Sequence, residues 1–235
     1  MDFFDLYVPA EEKAEEVVKL AEDMDFSGIG ISHIYKGKEG LNDYLEKMDD
    51  IDSKTEIDII RCCAIEPESP EEMESQVGKI RQKVELVAVK GGNFDVNRAA
   101  VEDRRIDILL HPEYKRKDSG IDHKTAKAAS ENDVTIGLVF HTLHQTYGKV
   151  RSHVLRHMKK SIQLCNKYGA NITVVSGAED KYSIKEPREL ASLLRVLDVE
   201  PPESMRYVSY LPEGIVKTNR KKLKGEIKKG GVEEF

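Results

Sequence analysis

Cationic and titratable side chains are concentrated in one segment, Lys90 to His123, which reads KGGNFDVNRAAVEDRRIDILLHPEYKRKDSGIDH. One predicted strand, Val84–Val89, ends directly before it and leads into paired glycines, and a second, Ile106–Leu110, ends inside it and leads into His111. Glycines permit backbone conformations that are closed to other residues. Because α/β folds place functional groups at the carboxyl ends of their strands, we expect these side chains to form one site.

Capping residues should fix the helices that follow these two strands. Asp95 is predicted to cap a short helix with Arg98 in its first turn. Asp122 is predicted to cap the next helix, which begins with His123.

Binding of a polyanion is the chemistry that the residue types favour most. Arginine matches phosphate oxygens in a two-pronged geometry, and lysine adds a point charge. Tyr114 and Tyr147 could stack on unpaired bases. The cations of this hypothesis are Lys90, Arg98, Arg104, Arg105, Lys115, Arg116, Lys117, Arg151, Arg156, Lys159 and Lys160.

Metal catalysis requires clustered ligands such as HxH or HExxH, and the sequence contains neither. His141 and His144 are three residues apart outside a predicted helix. His153 and His157 have ligand spacing on a helix, but we place both near its polar side, among cations. This helix is expected to bury Val150. No metal and no cofactor are therefore expected.

Nucleophilic and phosphate-loop chemistries also lack their motifs. No GxSxG or GxxxxGK[ST] sequence is present, and Ser176-Gly177-Ala178 is better explained as a tight turn. A carboxylate pair such as Glu66 and Glu113 stays open, since its geometry cannot be read from sequence.

Composition indicates one globular domain with a polarised charge. The chain has 235 residues, 39% apolar and 34% charged, and a net charge of −6. Residues 1–80 hold 22 acidic and 8 basic side chains, whereas residues 81–235 hold 21 and 29. One face could thus meet a polyanion and another a basic protein. No membrane span or signal peptide is expected, and three cysteines without CxxC spacing fit the cytoplasm.

Apolar runs alternate with amphipathic stretches, which is typical of a parallel sheet covered on both faces. The remaining predicted strands are Phe3–Val8, Gly28–Ser32, Ile57–Ile65, Val134–Val139 and Ile172–Val175. The clearest predicted helices are Glu11–Met24, Pro70–Lys83, His123–Glu131, Gly148–Tyr168 and Glu186–Leu197.

Polar residues lie at or just past the ends of all seven predicted strands: Tyr7, His33, Glu66, Lys90, His111, His141 and Ser176. They would converge on one rim if the sheet closes, which favours an irregular TIM-like (β/α) barrel of about seven parallel strands over an open sheet. The barrel domain is predicted at 1–211. Residues 212–235 contain seven cations between Lys217 and Lys229 and few apolar residues, so we expect a disordered basic tail.

The motifs quoted above resemble those of the archaeal ribonuclease P protein component 3 family. The resemblance rests on Phe4-Asp5-Leu6, on the segment GGNFDVNRAAVEDRRIDILLHPEYKRKDSGIDH, and on Ser176-Gly177-Ala178 with the later Arg188. It covers about residues 2 to 212 and leaves the basic tail outside.

The resemblance implies a TIM-like barrel distantly related to the polymerase and histidinol phosphatase hydrolases. Those relatives have a metal-binding HxH on the first strand, where this chain has Asp5-Leu6-Tyr7. It also implies a non-catalytic subunit that supports the RNA which removes the 5′ leader of precursor tRNA, together with protein component 2 and other subunits. A stand-alone metal-dependent phosphoesterase is the alternative. The site residues that the resemblance implies are Arg98, His111, Arg116, Asp118, His123 and Arg188.

Overall fold

Seven parallel strands form a nearly closed barrel, so the predicted fold class is confirmed. The computed structural model describes residues 1–37 and 40–226. The strands are ordered in the sheet as they are in the chain. Their bounds are β1 Phe4–Val8, β2 Gly28–Tyr35, β3 Asp58–Ile65, β4 Leu86–Lys90, β5 Ile108–Leu110, β6 Thr135–Val139 and β7 Ile172–Val175.

Helices connect the strands and cover the outside of the barrel. Their bounds are α1 Ala14–Asp23, α2 Leu41–Asp52, α3 Pro70–Ile80, α4 Phe94–Glu102, α5 His123–Glu131, α6 His141–Gln145, α7 Gly148–Tyr168, α8 Pro187–Val196, α9 Glu203–Arg206 and α10 Tyr210–Leu223. A 3-10 turn at Glu11–Lys13 precedes α1. Asp122 caps α5 as predicted, whereas Asn93, and not Asp95, caps α4. Within the described ranges, no helix is long and apolar enough to cross a bilayer.

Two hydrophobic cores stabilise the fold because the two faces of a strand point in opposite directions. The larger core lies between the sheet and the surrounding helices. The smaller core fills the barrel interior with side chains such as Leu6, Ile60, Leu86 and Leu110. The interior is therefore packed, and any site must be built on the loops at its ends.

The seam between β1 and β7 is joined by a buried carboxylate. Asp5 accepts the backbone N–H of Ser176 at 3.1 and 3.2 Å, and that of Tyr7 at 3.3 Å. Burial raises the pKa of Asp5 to about 6. The first-strand acid is thus occupied with backbone groups that hold the two end strands together.

The prediction of a disordered tail is wrong for residues 212–223, which lie in α10. Val216 packs into the barrel interior. The Arg220 guanidinium binds both carboxylate oxygens of Asp58 at 2.7 Å and also binds Glu85. Both acids lie at the amino ends of strands, so α10 closes that end of the barrel. Residues 227–235, including Lys228 and Lys229, lie outside the described residues.

Candidate RNA interface at the carboxyl ends of the strands

A buried asparagine holds together the loops that follow β4 and β5. Asn97 lies in the first turn of α4 and is fully buried. Its Oδ1 accepts the N–H of Gly92 at 3.0 Å, and its Nδ2 donates to the carbonyls of Pro112 at 2.9 Å and Gly120 at 2.8 Å. Residues 111–122, called the β5 loop below, are therefore tied to α4 at two points.

The β5 loop has a backbone that only certain residues tolerate. Gly120 has a φ of +70°, and a β-carbon there would lie 1.7 Å from the carbonyl oxygen of Pro112. His111 and Lys115 also have positive φ, of 49° and 54°. Such conformations are strained for residues with a β-carbon and occur frequently at functional sites. The β5 loop thus has one defined conformation.

Arg116 is clamped across the two loops. Its guanidinium binds both carboxylate oxygens of Asp118, at 2.6 and 2.8 Å, and donates to the carbonyl of Gly92 at 3.2 Å. The guanidinium carbon lies 5.7 Å from the centroid of the Phe94 ring. Hydrogen bonding to Arg116 lowers the pKa of Asp118, which therefore stays ionised. Arg116 and Asp118 form one pair, so the acid orients the cation.

Two lysines lie beside a single aromatic ring. The Nζ atoms of Lys90 and Lys115 are 4.9 and 5.0 Å from the centroid of Tyr114, and Lys90 also binds Glu66 at 2.8 Å. Cations are attracted to the negative face of an aromatic ring. The ring of Tyr114 therefore positions positive charge, and it is less open to a base than we expected. Lys117 is exposed.

Titratable groups lie under the β5 loop. The Nδ1 atom of His111 is 3.0 Å from Thr142 Oγ1 and 3.9 Å from Glu113 Oε1. Glu113 is 4% exposed, and neither of its carboxylate oxygens has a hydrogen-bond partner in the described ranges. His157 is buried, and this burial lowers its pKa. We expected His157 on the polar side of its helix, and this was wrong because His157 is buried. The exposed part of α7 is its first turns, which include Val150.

Further cations follow β6 and β7 on the same rim. The Arg151 guanidinium lies 5.2 Å from the ring centroid of Tyr147 and donates to the carbonyl of Thr146 at 2.7 Å. Arg156 and Arg188 are exposed, and in the described part of the chain neither forms an ion pair. The rim after β4 to β7 thus presents arginine and lysine side chains, of which Arg116 and Lys90 are paired with Asp118 and Glu66.

Not every predicted residue belongs to this group. Arg98 is exposed on α4 and pairs with Glu102 at 2.9 Å. Arg104 and Arg105 lie between α4 and β5, at the amino ends of the strands, where they bind Asn132 and Asp103. His123 begins α5 on the rim side, and its ring centroid is 6.5 Å from that of Tyr168. RNA contact by Arg104 and Arg105 would therefore use the opposite end of the barrel.

Side chains that could bind a metal do not form clusters in the described ranges. No cluster of three or more His, Cys, Asp or Glu side chains there could hold an ion. The rings of His141 and His144 stack 6.4 Å apart. Glu66 is bound to Lys90 at 2.8 Å.

Comparison with known proteins shows the family of this chain. The family model for ribonuclease P subunit p30 matches residues 2–224. The chain is 34% identical over 222 residues to ribonuclease P protein component 3 of Methanococcoides burtonii, covering 93% of this chain and 88% of that protein. The chain belongs to the ribonuclease P subunit p30 family.

Solved structures agree with this family. A chain in a cryo-EM structure of archaeal ribonuclease P with mature tRNA superposes with a TM-score of 0.86 at 29% identity, over 99% of this chain and 97% of that one. Histidinol phosphate phosphatase from Lactococcus lactis superposes with a TM-score of 0.55 at 10% identity, over 83% and 90% of the two chains. The second likeness shows the barrel fold alone. The p30 family match also includes all of α10, beyond the end at 212 that the motifs indicated.

Sequence reasoning missed two residues of the rim. Asn97 stands in the quoted segment, but its neighbours Pro112 and Gly120 are distant in sequence, so its burial could not be foreseen. Tyr182 follows β7 and is 82% exposed, which is unusual for an aromatic side chain. Its position in a polar stretch was the available signal.

Proposed function

We propose that this chain is a protein subunit of ribonuclease P, the ribonucleoprotein that removes the 5′ leader of precursor tRNA. The observation that supports this most is the superposition of nearly the whole chain on a protein of archaeal ribonuclease P. In this proposal the catalytic RNA performs the cleavage, and the protein binds and supports it together with protein component 2, as a heterodimer or heterotetramer. The place of action would be the cytoplasm.

The rim at the carboxyl ends of β4 to β7 is proposed to contact the RNA backbone. Arg116 is oriented by Asp118, and the lysines around Tyr114 are held by ring contacts, so less side-chain freedom is lost on binding. Phosphate contacts of this kind position a protein on RNA without reading sequence. The rim residues proposed for these contacts are Lys90, His111, Lys115, Arg116, Lys117, Asp118, His123, Arg151, Arg156 and Arg188. Arg98, on the exposed face of α4, is proposed as a further contact outside this group.

Salt dependence of binding tests this role of the rim. Each phosphate contact adds about 0.7–0.9 to the slope of log affinity against log salt. Replacing Lys115, Arg116 and Arg188 together by alanine should therefore lower both the affinity for ribonuclease P RNA and this slope. The matched control replaces the three lysines of α10, Lys217, Lys221 and Lys222, by alanine at the opposite end of the barrel. Equal loss from both triple variants would contradict a role specific to the rim.

A stand-alone metal-dependent phosphoesterase is supported only by fold likeness at 10% identity. The first-strand acid of this chain, Asp5, binds backbone N–H groups at the β1–β7 seam. Metal analysis of gently purified protein separates the two functions. Stoichiometric zinc or manganese with phosphodiesterase activity would favour the alternative.

A further inference from the structure

Two exposed tyrosines stand on neighbouring loops of the rim. Tyr147 is 76% exposed directly before α7, and Tyr182 is 82% exposed in the loop between β7 and α8. β6 and β7 pair in register, and the N–H of His141 donates to the carbonyl of Ser176 at 2.9 Å. His141 Nε2 also lies 4.0 Å from Glu179 Oε1. The two loops therefore start side by side.

Each of the two rings has a cation held beside it. The guanidinium carbon of Arg151 is 5.2 Å from the centroid of Tyr147, and Lys181 Nζ is 5.5 Å from that of Tyr182. Arg151 is fixed by its bond to the Thr146 carbonyl at 2.7 Å. Lys181 is fixed by an ion pair with Glu16 at 2.8 Å. Most of each ring surface nevertheless faces solvent.

Cations without an acid partner in the described ranges lie near the rings, and Glu179 and Asp180 stand in the same loop as Tyr182. Arg188 is exposed without an ion pair in the described part of the chain, and Lys185 lies close enough to His144 to lower its pKa, after the larger effect of burial. A ring beside a cation matches one nucleotide, because the base can stack while its phosphate pairs with the cation.

We propose that Tyr147 and Tyr182, with Arg151 and Lys181 beside them, form a stacking platform for unpaired nucleotides of RNA. The inference rests on the proposed function and specifies it, because it assigns single-stranded RNA to the β6–β7 side of the rim. Bases within a duplex are stacked on each other and cannot lie on a protein ring. Duplex RNA should therefore gain nothing from the two tyrosines.

A binding experiment with defined probes tests the platform. The full-length chain, in complex with protein component 2, is titrated with a labelled oligouridylate of about twelve nucleotides, within the range of known single-strand sites. An RNA duplex of the same length is the second probe. Tyr147→Leu and Tyr182→Leu should each weaken oligouridylate binding roughly five-fold or more, since stacking on an aromatic ring supplies that much per base. Affinity for the duplex should stay within about two-fold.

Three control variants make the result specific. Tyr147→Phe and Tyr182→Phe keep the rings and should restore wild-type affinity. Tyr210→Leu removes a tyrosine that is 70% exposed on α10, at the other end of the barrel, and should have no effect.

Three outcomes would overturn the platform. They are unchanged oligouridylate affinity in the leucine variants, equal loss for the duplex, and loss of protein component 2 binding in place of RNA binding. In the first case a wild-type complex that still binds ribonuclease P RNA leaves the proposed function intact. A wild-type complex that binds neither the oligouridylate nor ribonuclease P RNA would refute both proposals.

Discussion

Replacing Asn97 by alanine should detach the β5 loop and weaken RNA binding, although Asn97 itself is buried away from any ligand. The substitution removes three hydrogen bonds of 2.8 to 3.0 Å and leaves one backbone N–H and two carbonyls without their partner. Each such bond contributes about 1 kcal/mol net, and a buried polar group left unpaired costs about 1–3 kcal/mol. The expected loss of unfolding free energy is therefore about 3 kcal/mol or more.

Thermal melting and RNA titration measure the two effects separately. In a chain of this size, about 3 kcal/mol corresponds to a melting temperature lower by roughly 6–12 °C. Well below that temperature the variant stays folded, so its affinity for ribonuclease P RNA reports the loop alone. We expect affinity to fall roughly ten-fold, because Arg116 and Lys115 lose their fixed positions.

Asn132 provides a matched control at the amino ends of the strands. Its side chain also makes three hydrogen bonds, to Val101, Ala128 and Arg104, at 3.0 to 3.1 Å. Asn132→Ala should lower the melting temperature by a smaller amount, because Asn132 is only half-buried, and should leave RNA affinity nearly unchanged. Wild-type melting and affinity in Asn97→Ala, or equal affinity loss in both variants, would refute the reasoning.

Four other substitutions test the fold and the rim. Arg220→Met should lower the melting temperature by roughly 3–6 °C, because two carboxylates lose their partly exposed partner. Burial raises the pKa of Asp5 from 3.8 to about 6, so the folded chain binds that proton more tightly than the unfolded chain does. As the pH rises from about 4 to 6, the wild type should therefore lose stability relative to Asp5→Asn, which urea titrations measure. Parallel stability curves for the two proteins would contradict this. Arg98→Ala and Arg188→Ala should each reduce the rate of reconstituted cleavage roughly ten-fold. The melting temperature should stay nearly unchanged, since the ion pair of Arg98 with Glu102 is exposed. Lost stability with unchanged specific activity would indicate a structural role.

The strands were predictable because apolar β-branched runs mark a buried parallel sheet. The main error was β2, which extends to Tyr35 and not Ser32. His33 interrupts the apolar pattern, yet it lies within the strand because Glu11 binds its ring at 2.8 Å and Tyr44 stacks on it. Tertiary contacts of this kind are not visible in local composition.

The structure of α10 could not be predicted from its own residues. A segment rich in lysine with few apolar side chains lacks the surface to fold alone. The barrel supplies the missing partners: Val216 enters the interior core, and Arg220 meets Asp58 and Glu85, which are 162 and 135 residues away in sequence. Only the closed barrel brings these groups together.

The candidate site was predictable in its location and not in its construction. Strand ends and residue types indicated the rim, where Arg116 and Lys115 now lie beside Lys90 and its ring contact. The same reasoning included Arg104. The helix α4 lies between β4 and Arg104 and places Arg104 at the opposite end of the barrel. Linear proximity to a strand does not reveal which of its ends a side chain occupies.

Cleavage of precursor tRNA by a reconstituted assembly tests the central claim most directly. Ribonuclease P RNA and the other protein subunits are combined with this chain, without it, and with the Lys115, Arg116 and Arg188 triple-alanine variant. The account predicts correct 5′-leader removal that depends on the wild-type chain and is strongly reduced with the variant. Equal cleavage rates with and without the chain would contradict it.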